Sequence, residues 1–185
     1  VEFLVDLDRD EFSFLEVNTR VQVEHPVTEM ITGIDIVREQ LRVAAGFPLS
    51  FGQDAIRFSG HAIECRINAE SSDAGFLPCP GTVRTWEPPT GAGVRLDSHA
   101  FTGYVVPPYY DSLLGKLIVH GDDRADAIER LLVALDAFEV DGVDTTIPVH
   151  RRIVDHVDFR ADAVNTTWLE QVLLPATADR VAVAS

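Results

Sequence analysis

The chain has 185 residues and a net charge of −15, with Lys116 the single lysine among fifteen basic residues, and is 46% hydrophobic. That length holds one domain or parts of two. The acidity argues against nucleic-acid binding, no apolar run approaches the ~20 residues of a membrane span, and no basic-then-apolar signal opens the chain.

Residues 2–7 and 11–17 alternate in polarity around Asp8-Arg9-Asp10, which predicts a hairpin. The chain enters this strand directly from Val1, so it reads as a cut through a longer protein. Over residues 16–24 the even positions are Glu16, Asn18, Arg20, Gln22 and Glu24, and the odd ones Val17, Thr19, Val21 and Val23. A period of two predicts extended chain with one apolar face. An ordinary solvated strand face is the plain alternative. It fits poorly, because this face has no lysine and carries Asn and Gln in mid-run, where strands disfavour them. Pro26 is expected to keep His25 extended and so stiffen the backbone at Glu24. Residues 28–32 suit a short helical turn. Residues 34–45 predict an amphipathic helix with Ile34, Val37, Leu41 and Ala44 on its apolar side and Gly46 as its stop.

Residues 61–70 alternate again, with Ile63, Cys65, Ile67 and Ala69 opposed to Glu64, Arg66, Asn68 and Glu70. A Ser/Gly/Pro-rich loop over 71–81 precedes short strands at 83–86 and 94–97. The segment Pro107-Pro108-Tyr109-Tyr110-Asp111 is a stiff connector, with both tyrosines read as packing residues. A strand at 116–120 holds Lys116, read as structural. A helix follows at 124–138 with Ile128, Leu131, Leu132 and Leu135 inward, then a strand or turn at 140–143. Thr146 is read as the N-cap of a helix over 147–157 with Pro148 in its first turn, and residues 165–167 as the cap of a last short helix ending at Leu173. The expected division is 1–58, 59–173 and a tail over 174–185. Cys65 and Cys79 match no metal motif and read as free thiols of a reducing cytoplasm. The scarcity of lysine beside abundant Asp fits a surface adapted to high salt, with drift in a GC-rich genome as the alternative.

Two residues apart on one strand face means about 6.6 Å along the chain. Glu16 and Asn18 can therefore share a hard cation, and Glu2 on the paired strand can add a second carboxylate. Two carboxylates and an amide oxygen favour Mg²⁺ or Mn²⁺ over Zn²⁺, with phosphate oxygens completing the shell. A straight chain would place Glu24 about 26 Å from Glu16, outside that site. Arg20, Gln22 and Glu24 then form a second cluster of cation, amide and base suited to a small oxyanion. His25 and His61 have no second imidazole at ligand spacing and read as local hydrogen-bonding residues. There is no Gly-rich phosphate loop.

The stretches FLEVNTRVQVEHPVTEMITGIDIVREQLRVAAG, GHAIECRINAE, FLPCPGTV and VPPYYDSLLGKLIV together resemble the C-terminal half of a biotin carboxylase, the ATP-grasp component of acetyl-CoA, propionyl-CoA and pyruvate carboxylases. The resemblance covers nearly the whole chain to Leu173. It implies an α+β fold: the end of an ATP-grasp domain, then the biotin carboxylase C-terminal domain. It implies a ligase that uses ATP, Mg²⁺ or Mn²⁺ and bicarbonate to carboxylate biotin on a carrier protein. By that resemblance Glu2, Glu16 and Asn18 hold the metal, and Arg20, Gln22 and the backbone at Val23 seat bicarbonate. Glu24 is the base, and Arg66 stabilises the biotin enolate. An ion pair with Glu64 is the plain alternative for Arg66. Asp111 either orients groups near biotin or is a turn carboxylate. The implied partners are the biotin carboxyl carrier domain, a carboxyltransferase subunit and a second copy of the chain, with Arg95 a candidate interface residue. Two other readings are a non-catalytic scaffold piece and a different ATP-grasp ligase.

Overall fold

A computed structural model describes residues 1–6 and 9–174, so Leu7, Asp8 and the tail from 175 lie outside the described residues. The fold is α+β and divides into two units, Val1–Ser59 and the chain from Gly60 onward.

In the first unit, β1 (Glu2–Asp6) and β2 (Glu11–Glu16) form the expected antiparallel hairpin. Its register slips at one end: Phe3 faces Phe14, but Glu2 faces Glu16, leaving Leu15 as an extra residue. Such a bulge re-aims the side chains next to it. Phe3 packs edge-on against Phe12 and Phe14 at ring distances of 5.7 and 6.1 Å. These rings, with Leu4, Val5 and Leu15, remain exposed.

The alternation beyond Glu16 does not become strand. Glu2 already lies opposite Glu16, so later residues find no strand partner among the described residues, and the chain turns at residues 23–24 into α1 (His25–Thr32). His25 is thus helical rather than extended. Pro26 sits in the first helical turn, where its missing N–H costs nothing. The His25 N–H donates to the Gln22 carbonyl at 3.3 Å, and its ring nitrogen Nδ1 lies 2.7 Å from the same oxygen.

Helix α2 (Ile36–Ala44) is capped by Asp35, whose side chain accepts from the Arg38 N–H at 2.8 Å. Its expected apolar stripe is not buried: Val37 and Leu41 are exposed, and the buried residue is Glu39. The Glu39 carboxylate accepts from the Ser50 N–H (2.9 Å) and hydroxyl (2.6 Å), and those bonds hold its pKa below the ordinary value. A periodicity argument misses this, because the partner is eleven residues away.

The second unit contains the apolar core. Strands β3 (His61–Asn68), β4 (Glu70–Ser71), β5 (Leu77–Pro78), β6 (Gly81–Thr82), β7 (Thr85–Glu87), β8 (Val94–Ser98), β9 (Val105–Val106) and β10 (Leu113–Gly121) precede α3 (Arg124–Ala137). Then come β11 (Glu139–Asp141), α4 (Ile147–Asp155), α5 (Val157–Arg160) and a π-helical turn over Leu169–Leu173. The central sheet runs β3-β10-β8, antiparallel throughout. On one face Cys65, Ile67, Leu117 and Val119 meet Ile128, Leu131, Leu132 and Leu135 of α3. Burial drives the Cys65 thiol up to about 12, so it behaves as an inert apolar side chain. Asp123 caps α3 by accepting from the Asp126 N–H at 2.9 Å.

Two expectations fail in this unit. Tyr109 and Tyr110 do not pack but are 88% and 82% exposed. Thr146 stands at the N-terminus of α4 yet makes no side-chain cap there; its hydroxyl goes to β3.

Candidate active site

In the first unit the bulge does the positioning. With Glu2 facing Glu16 rather than Leu15, both carboxylates come to one end of the hairpin. The Asn18 amide lies between them, with Nδ2 2.6 Å from Glu2 Oε1 and 3.2 Å from Glu16 Oε1. Gln22 Nε2 reaches the same Glu2 oxygen at 3.3 Å. The straight-chain separation of Glu16 from the later residues is therefore corrected, because the turn ahead of α1 folds Gln22 back onto Glu2. Two carboxylates converging on one amide are a hard-oxygen donor set. The Asn18 Nδ2 donates to both carboxylates, and flipping the amide would turn its oxygen toward them instead. Among the described residues no group of three His, Cys, Asp or Glu side chains is spaced to hold a metal. These side chains fit Mg²⁺ or Mn²⁺ only with oxygens from another molecule in the shell, as is usual for Mg²⁺ on phosphates.

Arg20, Gln22 and Glu24 line one cavity of about 240 Å³, closed by Val21 and by His25, Thr28, Ile36 and Gln40. Its size suits a small anion rather than a nucleotide. The Arg20 Nη1 bonds the Val21 carbonyl at 3.3 Å, leaving most of its donors for a ligand. Glu24 is the N-cap position of α1, and Val23 lies in the turn before it. His25 fastens the Gln22 backbone, as a local hydrogen-bonding residue would.

In the second unit Arg66 is exposed near the end of β3, with Lys116 opposite it on β10. Lys116 is nearly buried and pairs with Asp97 at 3.5 Å. Arg95 grips Asp97 with two bonds of 2.8 Å, and these charges hold the Asp97 carboxyl low against its burial, the largest single influence, which alone would raise it. The Arg66 carbonyl accepts from Thr146 Oγ1 and from the His150 ring, each at 2.8 Å. Burial pushes the His150 pKa down, favouring the neutral ring, although its bond to Arg66 opposes this. Asp111 accepts from the Leu113 N–H at 2.8 Å, the bond of a turn carboxylate at the entry to β10. Glu70 ties the same connector to β3 by accepting from the Asn68 amide at 2.9 Å and from the Ser112 hydroxyl. Sequence reading gave His150 and Glu70 no role. The signal for His150 is its spacing: four residues after Thr146, it shares that residue's helix face.

Comparison with known proteins matches residues 64–171 to the biotin carboxylase C-terminal domain and residues 1–51 to the ATP-binding domain of the carbamoyl-phosphate synthase L chain. Biotin carboxylase 1 of Bacillus subtilis is 49% identical over 170 residues, which is 92% of this chain and 38% of that protein. Biotin carboxylase of Haemophilus influenzae is 53% identical over 172 residues, 93% of this chain and 38% of its own. The chain thus spans under two fifths of the length of these relatives. Among solved structures, the biotin carboxylase domain dimer of the Hydrogenobacter thermophilus 2-oxoglutarate carboxylase, in complex with MgADP, ADP and bicarbonate, superposes with a TM-score of 0.88 at 47% identity. That match covers 91% of this chain and 37% of that one. The complete multifunctional pyruvate carboxylase of Rhizobium etli gives 0.88 at 35% identity, over 92% of this chain and 16% of that one.

Proposed function

Because the chain belongs to the biotin carboxylase C-terminal domain family, we propose that it is part of an enzyme that carboxylates biotin with ATP and bicarbonate. The observation that carries this reading is the hairpin end. Glu2, Glu16 and Asn18 converge there, and Gln22 joins them to a small cavity lined by Arg20 and Glu24.

Glu2, Glu16 and Asn18 would hold Mg²⁺ or Mn²⁺, whose chemistry is to neutralise and orient the ATP phosphates. Arg20 forks onto two oxygens of bicarbonate, and Gln22 and the Val23 backbone seat the anion. Glu24 accepts the bicarbonate proton, freeing an oxygen to attack the γ-phosphorus as ADP leaves. The carboxyphosphate so formed splits into CO₂ and phosphate. Phosphate takes the N1 proton of biotin, and the ureido nitrogen bonds to CO₂. Arg66 stabilises the negative charge that builds on the ureido oxygen, as an always-charged guanidinium can. Asp111 fixes the connector that leads into β10.

The partners are a biotin carrier domain, a carboxyltransferase and a second copy of the chain through the domain that holds Arg95. Two free cysteines fit a cytoplasmic place of action. Among the described residues no helix is long and apolar enough to cross a membrane. The charge of −15 fits a high-salt host.

The test is a pair of assays on the full-length protein that carries this chain: phosphate release without biotin, and carboxybiotin formation with it. Glu24→Gln should lower bicarbonate-dependent phosphate release by about 10²–10⁴-fold, the usual range for a lost general base, with MgATP binding retained. Arg66→Ala should depress carboxybiotin formation well beyond its effect on phosphate release. Phosphate release indifferent to bicarbonate would favour a different ATP-grasp ligase.

A further inference from the structure

Strand β3 is an edge of the central sheet. One side of it pairs with β10, where Arg66 faces Lys116. On the other side the main-chain groups of residues 66 and 68 still require partners. Among the described residues no strand supplies them. Thr146 N–H donates to the Asn68 carbonyl at 3.1 Å, and Asn68 N–H donates to Thr146 Oγ1 at 3.0 Å. That same hydroxyl donates to the Arg66 carbonyl, and His150 Nε2, one helical turn later, donates to it as well, each at 2.8 Å. Both lone pairs of the Arg66 carbonyl are thereby used. A threonine at this position ordinarily spends its oxygen on its own helix. Thr146, which is buried, spends it on the strand instead.

We infer that Thr146 and His150 are positioning residues for Arg66, clamping its backbone to the first turns of α4 so that the guanidinium projects from a fixed origin. The inference rests on the role proposed above for Arg66. Its cause is geometric: pairing of Cys65 and Ile67 with β10 holds the strand's dihedral angles, so a shift of the Arg66 carbonyl carries the Cα–Cβ bond with it. Freeing the carbonyl lets the long side chain sweep away from the charge it must meet. Misplacement of this kind lowers the rate of the step it serves and leaves steps that do not use the arginine alone.

The experiment uses the full-length protein with free biotin and four substitutions: Thr146→Val, Thr146→Ser, His150→Ala and His150→Gln. Thr146→Val and His150→Ala should each lower kcat for carboxybiotin formation about 10- to 100-fold, while biotin-independent phosphate release changes by less than about twofold. Thr146→Ser, which keeps the hydroxyl, and His150→Gln, which keeps an N–H donor, should recover most of the lost rate. In an Arg66→Ala background neither Thr146→Val nor His150→Ala should cost anything more, because the group they position is gone. The inference is overturned if Thr146→Val and His150→Ala lower both activities in step with melting temperature, if they change neither, or if their effects add to that of Arg66→Ala. If Arg66→Ala itself spares carboxybiotin formation, the role given to Arg66 fails, a separate outcome visible in that variant alone.

Discussion

One unpaired residue sets the geometry of the proposed metal site. Leu15 is the surplus position in β2, and without it Glu2 would sit out of line with Glu16. Asn18 bonds both carboxylates, so each holds the others in place. Replacing Glu16 by Gln keeps the shape and removes a charge. In the full-length protein it should raise the dissociation constant for MgATP at least about 10-fold, since even substitutions outside the ligand shell commonly cost about 10–100-fold in metal affinity. Calorimetric titration with MgATP, alongside Glu24→Gln as a variant with intact binding, measures this; equal affinities in both variants would remove Glu16 from the metal set. The residues themselves were legible in the sequence, since parity alone collected Glu16 through Glu24. Their arrangement was not. The bulge at Leu15 has no signature in residue type, and Gln22 meets Glu2 through a turn rather than along a strand.

At the scale of elements, legibility followed burial. Helix α3 packs on a sheet, so its apolar period reports its packing, and all four residues expected inward are buried. Helix α2 has an equally clear period, yet Val37 and Leu41 are exposed and the residue it buries is Glu39, a carboxylate satisfied by a distant serine. The run from Val17 to Glu24 alternates like a strand but lacks a neighbour to pair with among the described residues, and pattern without a partner does not make a sheet. Thr146 misled for a related reason: its helix-start position is real, but β3 competes for its hydroxyl and wins. Turn chemistry gives the sharpest prediction at this scale. Gly142 follows β11 with φ of +100°, and a side chain there would overlap the Thr82 carbonyl oxygen and sit 2.8 Å from the Arg84 nitrogen. Gly142→Ala should cost about 3 kcal/mol or more, adding backbone strain to a clash that only main-chain movement can relieve. Chemical denaturation measures it, and a loss below about 1 kcal/mol would mean that the β7–β11 pairing is freely adjustable.

For the molecule as a whole the deciding quantity is charge. Arginine–carboxylate pairs such as Arg84–Asp141, Arg130–Asp126, Arg151–Asp136 and Arg160–Glu129 lie at or near the surface. Exposed pairs of this kind contribute little, so screening them forfeits little. The excess of fifteen negative charges repels itself over the whole surface, and salt relieves that repulsion. Melting temperature should therefore rise from dilute buffer to molar KCl. A flat or falling curve would leave genomic drift as the better account of the missing lysines.

The hairpin carries a consequence of its own. Among the described residues before Ser59 only Pro26, Glu29 and Glu39 are buried, so β2 presents Phe12, Phe14 and Leu15 to solvent along with an open strand edge. An apolar strand with an unpaired edge is a template for pairing with other chains. In the 185-residue chain taken by itself the six residues Glu11–Glu16 are therefore an aggregation hazard, and the charges that flank the apolar run are Glu11 and Glu16. Charged residues in such flanking positions act as gatekeepers against self-association. The carboxylate proposed to hold the metal would thus also help keep copies of the isolated 185-residue chain apart.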